Sequence, residues 1–98
     1  MSARGHVQFK FCLYVADNTP NSDAARANLA ALCNRHLPGR CEVEVVDVLS
    51  DPERALNDGI FITPTLVKLW PKPVQRIIGT LSQNQPLLQI LGLEGAAA

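Results

Sequence analysis

Few residues in this 98-residue chain could carry chemistry, and the thiols come first. Cys12, Cys33 and Cys41 are its three cysteines. A thiolate at the amino end of a helix, steadied by main-chain N–H groups and the helix dipole, would support disulfide exchange. An odd count with no C-x-x-C and no closely spaced pair is a poor disulfide framework and a poor zinc or thiol-exchange motif. His6 and His36 have no carboxylate or cysteine at ligand spacing. Asp47, Asp51, Glu53 and Asp58 form a loose acidic group that helix capping and solvation explain more simply than a metal. No Gly-rich phosphate loop and no nucleophile elbow occurs. Lys68, Lys72 and Arg76 remain, three cations on an expected hairpin beside Trp70. Trp and Arg are enriched at protein interfaces. The same cations would equally well protect a solvated hairpin edge.

The elements that must hold these residues follow from periodicity. Val7 to Ala16 alternates, with Phe9, Phe11, Leu13 and Val15 on one side and Lys10, Cys12 and Tyr14 on the other. The second side is mixed, so this strand is expected to be central and covered on both faces. Thr19 can cap a helix that has Pro20 at its first position. Ala25, Leu29, Leu32 and Cys33 then recur at helical spacing until Leu37-Pro38-Gly39 breaks the pattern. Cys41 to Leu49 reads as a second strand, parallel to the first because a crossover helix joins them. Ser50-Asp51-Pro52-Glu53 has the spacing of a capping box with Ser50 as the cap, opening a short helix that Gly59 can stop. Pro64 cannot donate to a sheet, so a third strand begins at Thr65. Trp70-Pro71-Lys72-Pro73 turns the chain into a return strand over Val74 to Gly79. Leu87, Leu88, Ile90 and Leu91 fit one helical face, although such a short apolar run could also pair as a strand.

Nine basic and nine acidic residues leave no net charge, which excludes a nucleic-acid or membrane binder working by bulk positive charge. Hydrophobic residues at 47% against 18% charged argue for a folded chain rather than a disordered one. The start has no leader-like apolar stretch, and no run approaches the ~20 apolar residues that span a bilayer. The expectation is one cytoplasmic domain over residues 1–98, flexible at 1–6 and 94–98, without cofactor or metal.

The order βαβαββα is the thioredoxin-like layout, a mixed four-stranded sheet with helices on both faces. A cis proline commonly precedes the third strand of that layout, and Thr63-Pro64 stands there. Thiol chemistry would need a cysteine where the first helix starts. Asp17 to Ser22 holds none. Cys12 falls in a strand, Cys33 on the apolar helix stripe and Cys41 at a strand start, all places where cysteine serves as a small hydrophobe. A thiol enzyme is therefore not expected.

Several strings together resemble the KaiB circadian-clock family. They are Leu13-Tyr14-Val15-Ala16 with Asn18-Thr19-Pro20-Asn21-Ser22; Val46-Asp47-Val48-Leu49 with Pro52; and Thr63-Pro64-Thr65-Leu66 followed by Lys68, Pro71, Pro73-Val74, Arg76-Ile77-Ile78-Gly79 and Leu81-Ser82. The resemblance covers roughly Phe9 to Leu93. It implies a non-enzymatic regulator that binds a KaiC-type clock ATPase and, in complex, captures a KaiA-like protein. It also implies competition with a sensor histidine kinase that carries a related domain. Members interconvert between a resting βαββααβ fold, assembled as dimers and tetramers, and a thioredoxin-like fold that binds the ATPase. In the resting fold Pro64 to Ile78 would be helical and Leu87 to Leu93 a strand. Thr65, Lys68 and Arg76 match family positions implicated in partner contact. Trp70 and Lys72 join them from the hairpin composition.

The chain departs from the family where Asp17 replaces Gly, Gly59 replaces Lys, Gln75 replaces Arg and Thr80 replaces Asp, and where Ala24 stands at a basic position. Near the end, Ile90-Leu91-Gly92 stands where members carry Gly-Leu-Asp. Fewer cations weaken a charge-matched dock, which sets partner choice and on-rate, so the partner is expected to be a divergent ATPase or another protein. Pro64, Gly79 and Ile90 mark the switching segment. Ile90 in place of Gly removes backbone freedom there and is expected to tilt the balance toward the thioredoxin-like fold. Two other readings stand beside this one: a paralogue in stress or two-component signalling outside a clock, and a divergent thioredoxin-like thiol or glutathione protein.

Overall fold

A computed structural model describes residues 8–82 and 84–92. His6 and the ends expected to be flexible, 1–6 and 94–98, lie outside the described residues.

The chain runs β1 (Phe9–Val15), α1 (Pro20–His36), β2 (Cys41–Asp47), α2 (Pro52–Asn57), β3 (Thr65–Trp70), β4 (Gln75–Ile78) and α3 (Asn84–Leu91). One sheet has the order β2-β1-β3-β4, with β1 parallel to β2 and antiparallel to β3, and β4 antiparallel to β3. This is the mixed thioredoxin-like arrangement. The helix over 64–78 and the strand over 87–93 of the resting-family alternative are not adopted: two strands and α3 stand in their place.

Each terminus of these elements has a local cause. The Thr19 hydroxyl accepts from the Ser22 N–H at 3.4 Å, and Pro20 opens α1 where a missing N–H costs nothing. The capping box expected from Ser50 is a correction: Asp51 is the N-cap of α2, accepting from the Arg54 N–H at 3.4 Å. Pro52 falls at the first helical position, which shifts the cap one residue beyond Ser50, and the Ser50 hydroxyl turns to Asp47 instead. Gly59, at φ +71°, ends α2 in the left-handed conformation that costs glycine least. The Thr63–Pro64 bond is cis, as that layout commonly has it.

The two sides of β1 are both buried, as its mixed alternation requires. Phe11, Leu13 and Val15 join Ala25, Leu29, Leu32 and Cys33 of α1, Leu66 of β3, and Leu87, Leu88 and Leu91 of α3 in the larger core. On the opposite side Cys12 and Tyr14 meet Val46, Ala55, Ile60 and Val67. Among the described residues that side is covered by the six-residue α2 and the loop after it. Its apolar area is correspondingly small, so polar contacts do more of the fastening there.

Candidate functional site

The thinly covered side is fastened by five charged or phenolic groups. Tyr14, buried in mid-sheet, donates its hydroxyl to Asp58 Oδ2 just past the end of α2. Arg76 of β4 reaches the same loop from the opposite direction, donating through Nη1 to the Gly59 carbonyl at 3.0 Å and through Nη2 to the Asp58 carbonyl. Those carbonyls lie at a helix end, where the chain leaves acceptors unfilled and a cation is favoured. Arg54 donates two parallel bonds to Glu44, at 2.5 and 2.7 Å, with Nη2 also 3.8 Å from the Cys12 sulfur. Burial first, then the bond to Asp58, raises the Tyr14 phenol above its ordinary pKa. Arg54 lowers the Glu44 carboxyl, and burial raises the Cys12 thiol. The arrangement holds α2 and its exit loop against the sheet.

What the clamped loop presents is apolar. Phe61 is 82% exposed, and Ile62 and Ile78 are more than half exposed. The three meet around a shallow pocket of about 110 Å³, whose polar lining includes Thr65 and Arg76. Large side chains left in water beside a rigid loop are the composition of a docking surface rather than of a core.

The residues expected at a partner surface are divided by the structure. Arg76 lies at this patch, and it already spends two of its N–H groups on main-chain carbonyls. Thr65 is 3% exposed and donates to the Ile62 carbonyl at 2.5 Å, so it shapes the patch from beneath. Lys68 is also 3% exposed. Thr65 and Lys68, both expected at a partner surface, are little exposed because β3 lies inside the sheet and β4 forms its edge. Trp70 and Lys72 are exposed, but they sit at the far end of β3, roughly 17 Å along the strand at about 3.4 Å per residue. Of the three positions expected to mark a switching segment, Pro64 and Gly79 are joined by a bond from the Gly79 N–H to the Pro64 carbonyl at 3.0 Å. Ile90 lies apart on α3, half-buried against the larger core.

Sequence reasoning missed the Tyr14–Asp58–Arg76 clamp and the Phe61–Ile62–Ile78 patch. One signal was available: a tyrosine alternating onto a covered strand face must find a partner for its hydroxyl. Three of the four acidic residues take hydrogen-bonding roles. Asp47 accepts from the Asp17 and Leu49 N–H groups and the Ser50 hydroxyl, Asp51 caps α2, and Asp58 accepts from Tyr14. Among the described residues no group of three or more His, Cys, Asp and Glu could hold a metal, and no helix is long and apolar enough to cross a membrane.

All three cysteines are free. Cys33 on α1 and Cys41 at the start of β2 both pack against the larger core. Burial first, then the Cys41 thiol, pushes the Cys33 thiol up to about 12. Burial also raises Cys41, against the opposing influence of Cys33 and the Arg40 charge.

Comparison with known proteins agrees with this architecture. The chain is 43% identical over 82 residues to the Circadian clock protein KaiB3 of Synechocystis sp., covering 84% of this chain and 78% of that one. It is 45% identical over 82 residues to the Circadian clock oscillator protein KaiB of Thermosynechococcus vestitus, covering 84% and 74%. Among solved structures it resembles the N-terminal domain of Synechococcus elongatus SasA, with TM-score 0.73 and 20% identity over 94% of this chain and 87% of that one. It also resembles chloroplastic thioredoxin z, with TM-score 0.74 and 22% identity over 96% and 84%. These two likenesses establish the thioredoxin-like fold. A family model described as the KaiB domain matches residues 12–93, and with that span and those identities the chain belongs to the KaiB family.

Proposed function

We propose that this protein is a non-enzymatic regulator that docks on a KaiC-type ATPase and modulates its phosphorylation cycle or signalling output. The observation that carries the reading is the apolar patch of Phe61, Ile62 and Ile78, held in place by Arg76 and Tyr14 through the α2 exit loop. A surface that keeps three large side chains in water over a polar-clamped loop is built to bind protein. Arg76 rims the patch. Trp70 and Lys72 offer a separate contact at the hairpin, while Thr65 and Lys68 support β3 from within. We assign Pro64, Gly79 and Ile90 to the exchange between this fold and a resting βαββααβ form, which assembles as a dimer or tetramer. A KaiA-like protein and a sensor histidine kinase are the further partners of this reading, and the cytoplasm its place.

The test is capture of a cognate KaiC-type ATPase, with and without ATP, by the wild type and by Phe61→Ala. A retained complex, weakened at least tenfold in Phe61→Ala, is the expected result, since an exposed aromatic anchor at the centre of a patch commonly costs ~2 kcal/mol or more when truncated. The melting temperature of Phe61→Ala should stay unchanged, because Phe61 buries little. No capture in either nucleotide state would move the protein to a signalling role outside a clock. Full affinity in Phe61→Ala would remove this patch from the interface.

A further inference from the structure

We infer that Asp58 and Gly59 are a modification site, an isoaspartate-forming step that the clamp on the α2 exit loop holds shut. Asp58–Gly59 is the chain's one Asp–Gly step, and no Asn–Gly step occurs. The chemistry is a ring closure between neighbours, in which a main-chain nitrogen reaches the side-chain carboxyl carbon of the residue before it. Glycine hinders this least, because no Cβ stands beside its nitrogen. Asp58 is exposed and lines a hollow of about 290 Å³ shared with Asn57, Leu69 and Val74, so water reaches it.

In the folded chain each group the ring needs is tied elsewhere. Asp58 is the C-cap of α2, at φ −90° and ψ 1°. The Gly59 N–H donates to the Leu56 carbonyl at 3.1 Å and the Ile60 N–H to the Ala55 carbonyl at 2.8 Å, with Gly59 left-handed between the helix and Ile60. This paired ending is a Schellman motif, and it engages the attacking nitrogen. The carboxyl is engaged by the Tyr14 hydroxyl on Oδ2, with Arg54 Nε 3.9 Å from the same oxygen. Arg76 holds the Asp58 carbonyl, part of the peptide group that must rotate, and the Gly59 carbonyl after it. Ring closure therefore waits on local opening of the loop, and its rate scales with the fraction open.

Once the loop opens, the Gly59 nitrogen attacks the Asp58 carboxyl carbon in its acid form. A C–N bond forms, the amide hydrogen and the carboxyl hydroxyl leave as water, and a succinimide remains. Water then adds to one ring carbonyl. Attack at the side-chain carbonyl restores aspartate. Attack at the main-chain carbonyl breaks that C–N bond, frees an α-carboxylate and routes the chain through the former side chain. The net mass is unchanged. The product adds a methylene to the main chain, removes the Oδ2 acceptor from Tyr14 and undoes the helix ending just before Phe61 and Ile62. The modification itself does not depend on what docks there.

The test incubates wild type, Tyr14→Phe, Arg76→Ala and Lys68→Ala in mildly acidic buffer, below their melting ranges, beside a synthetic peptide of residues 54–62. Isoaspartate is read by methyl transfer from an isoaspartyl methyltransferase, which labels the freed α-carboxylate, and is located by peptide mapping. The free peptide should convert fastest and the wild type slowest. Tyr14→Phe and Arg76→Ala should convert roughly 5–30-fold faster than wild type, the change in open population that loss of one or two such bonds produces. Lys68→Ala, destabilised without touching the clamp, should stay near the wild-type rate, and Asp58→Glu should remove the label. If one clamp variant does not fold, the other decides. Wild type converting as fast as the peptide, clamp variants no faster than wild type, Lys68→Ala accelerated as much as they are, or label mapping away from Asp58 would each overturn the proposal.

Discussion

Replacing Tyr14 with Phe removes one oxygen and leaves the ring in place. Tyr14 is 2% exposed, and its hydroxyl bonds to a carboxylate, so the loss belongs to the class of hydrogen bonds to charged groups, about 1.5–3 kcal/mol. Asp58 itself is at the surface and can rehydrate once freed, which places the cost at the low end, about 1.5 kcal/mol. For a domain of this size that is roughly 6–12 °C in melting temperature. Urea unfolding of wild type, Tyr14→Phe, Asp58→Ala and the double variant would give the coupling energy directly, expected near 1 kcal/mol. Tyr14 is the chain's one tyrosine, so tyrosinate absorbance reports it alone. The folded phenol should ionise above the ordinary value of about 10. The sign follows from proton binding: above that ordinary value the unfolded chain has lost a proton the folded chain keeps. Stability is therefore intact below it and falls as pH rises toward the folded value. Asp58→Ala should bring the folded ionisation down. A Tyr14→Phe variant within 0.5 kcal/mol of wild type, together with a wild-type phenol that titrates as in a free peptide, would refute the clamp.

Arg76→Ala removes two bonds to main-chain carbonyls, and a loss of about 1–2 kcal/mol is expected by urea unfolding, together with faster hydrogen exchange at residues 58–62. Asp17 adopts a left-handed φ of +42°, so Asp17→Gly should raise stability by up to ~1 kcal/mol, provided the bond from its N–H to Asp47 survives, and calorimetry reads the shift. The Glu44 carboxyl should titrate below an ordinary glutamate by NMR, and return to the ordinary value in Arg54→Met. Because its folded value is depressed, whatever Glu44 contributes is present above the unfolded value and fades as pH falls through the folded one. Lys68→Ala should lower stability through lost packing of its buried stem, while affinity for the partner, measured well below the melting point, stays within twofold.

Much of this architecture is readable from local pattern. The alternation from Phe9 to Val15 announced a strand covered on both sides, Thr19-Pro20 set the start of α1, and Pro64 set the start of β3 at Thr65. Local pattern fails where the deciding contact is distant. The choice of Asp51 over Ser50 turns on where Pro52 falls in the first turn of α2. Sequence alone places Thr65 and Lys68 on a hairpin edge, and the pairing of β3 with β1, more than fifty residues earlier, encloses them. The Tyr14–Asp58 bond spans 44 positions.

The central place of β1 has a consequence for synthesis. Once the ribosome has released residues through Asp47, β1, α1 and β2 can assemble, because every contact among them is already available. The other margin of β1, from Lys10 to Tyr14, stays open until Trp70 emerges. For that interval the nascent chain presents unpaired main-chain donors beside Phe11 and Leu13, a template for chance strand pairing with neighbouring polypeptides. Rapid arrival of β3 is thus a condition for clean biogenesis, and a translational pause placed between residues 48 and 64 would lengthen the hazard.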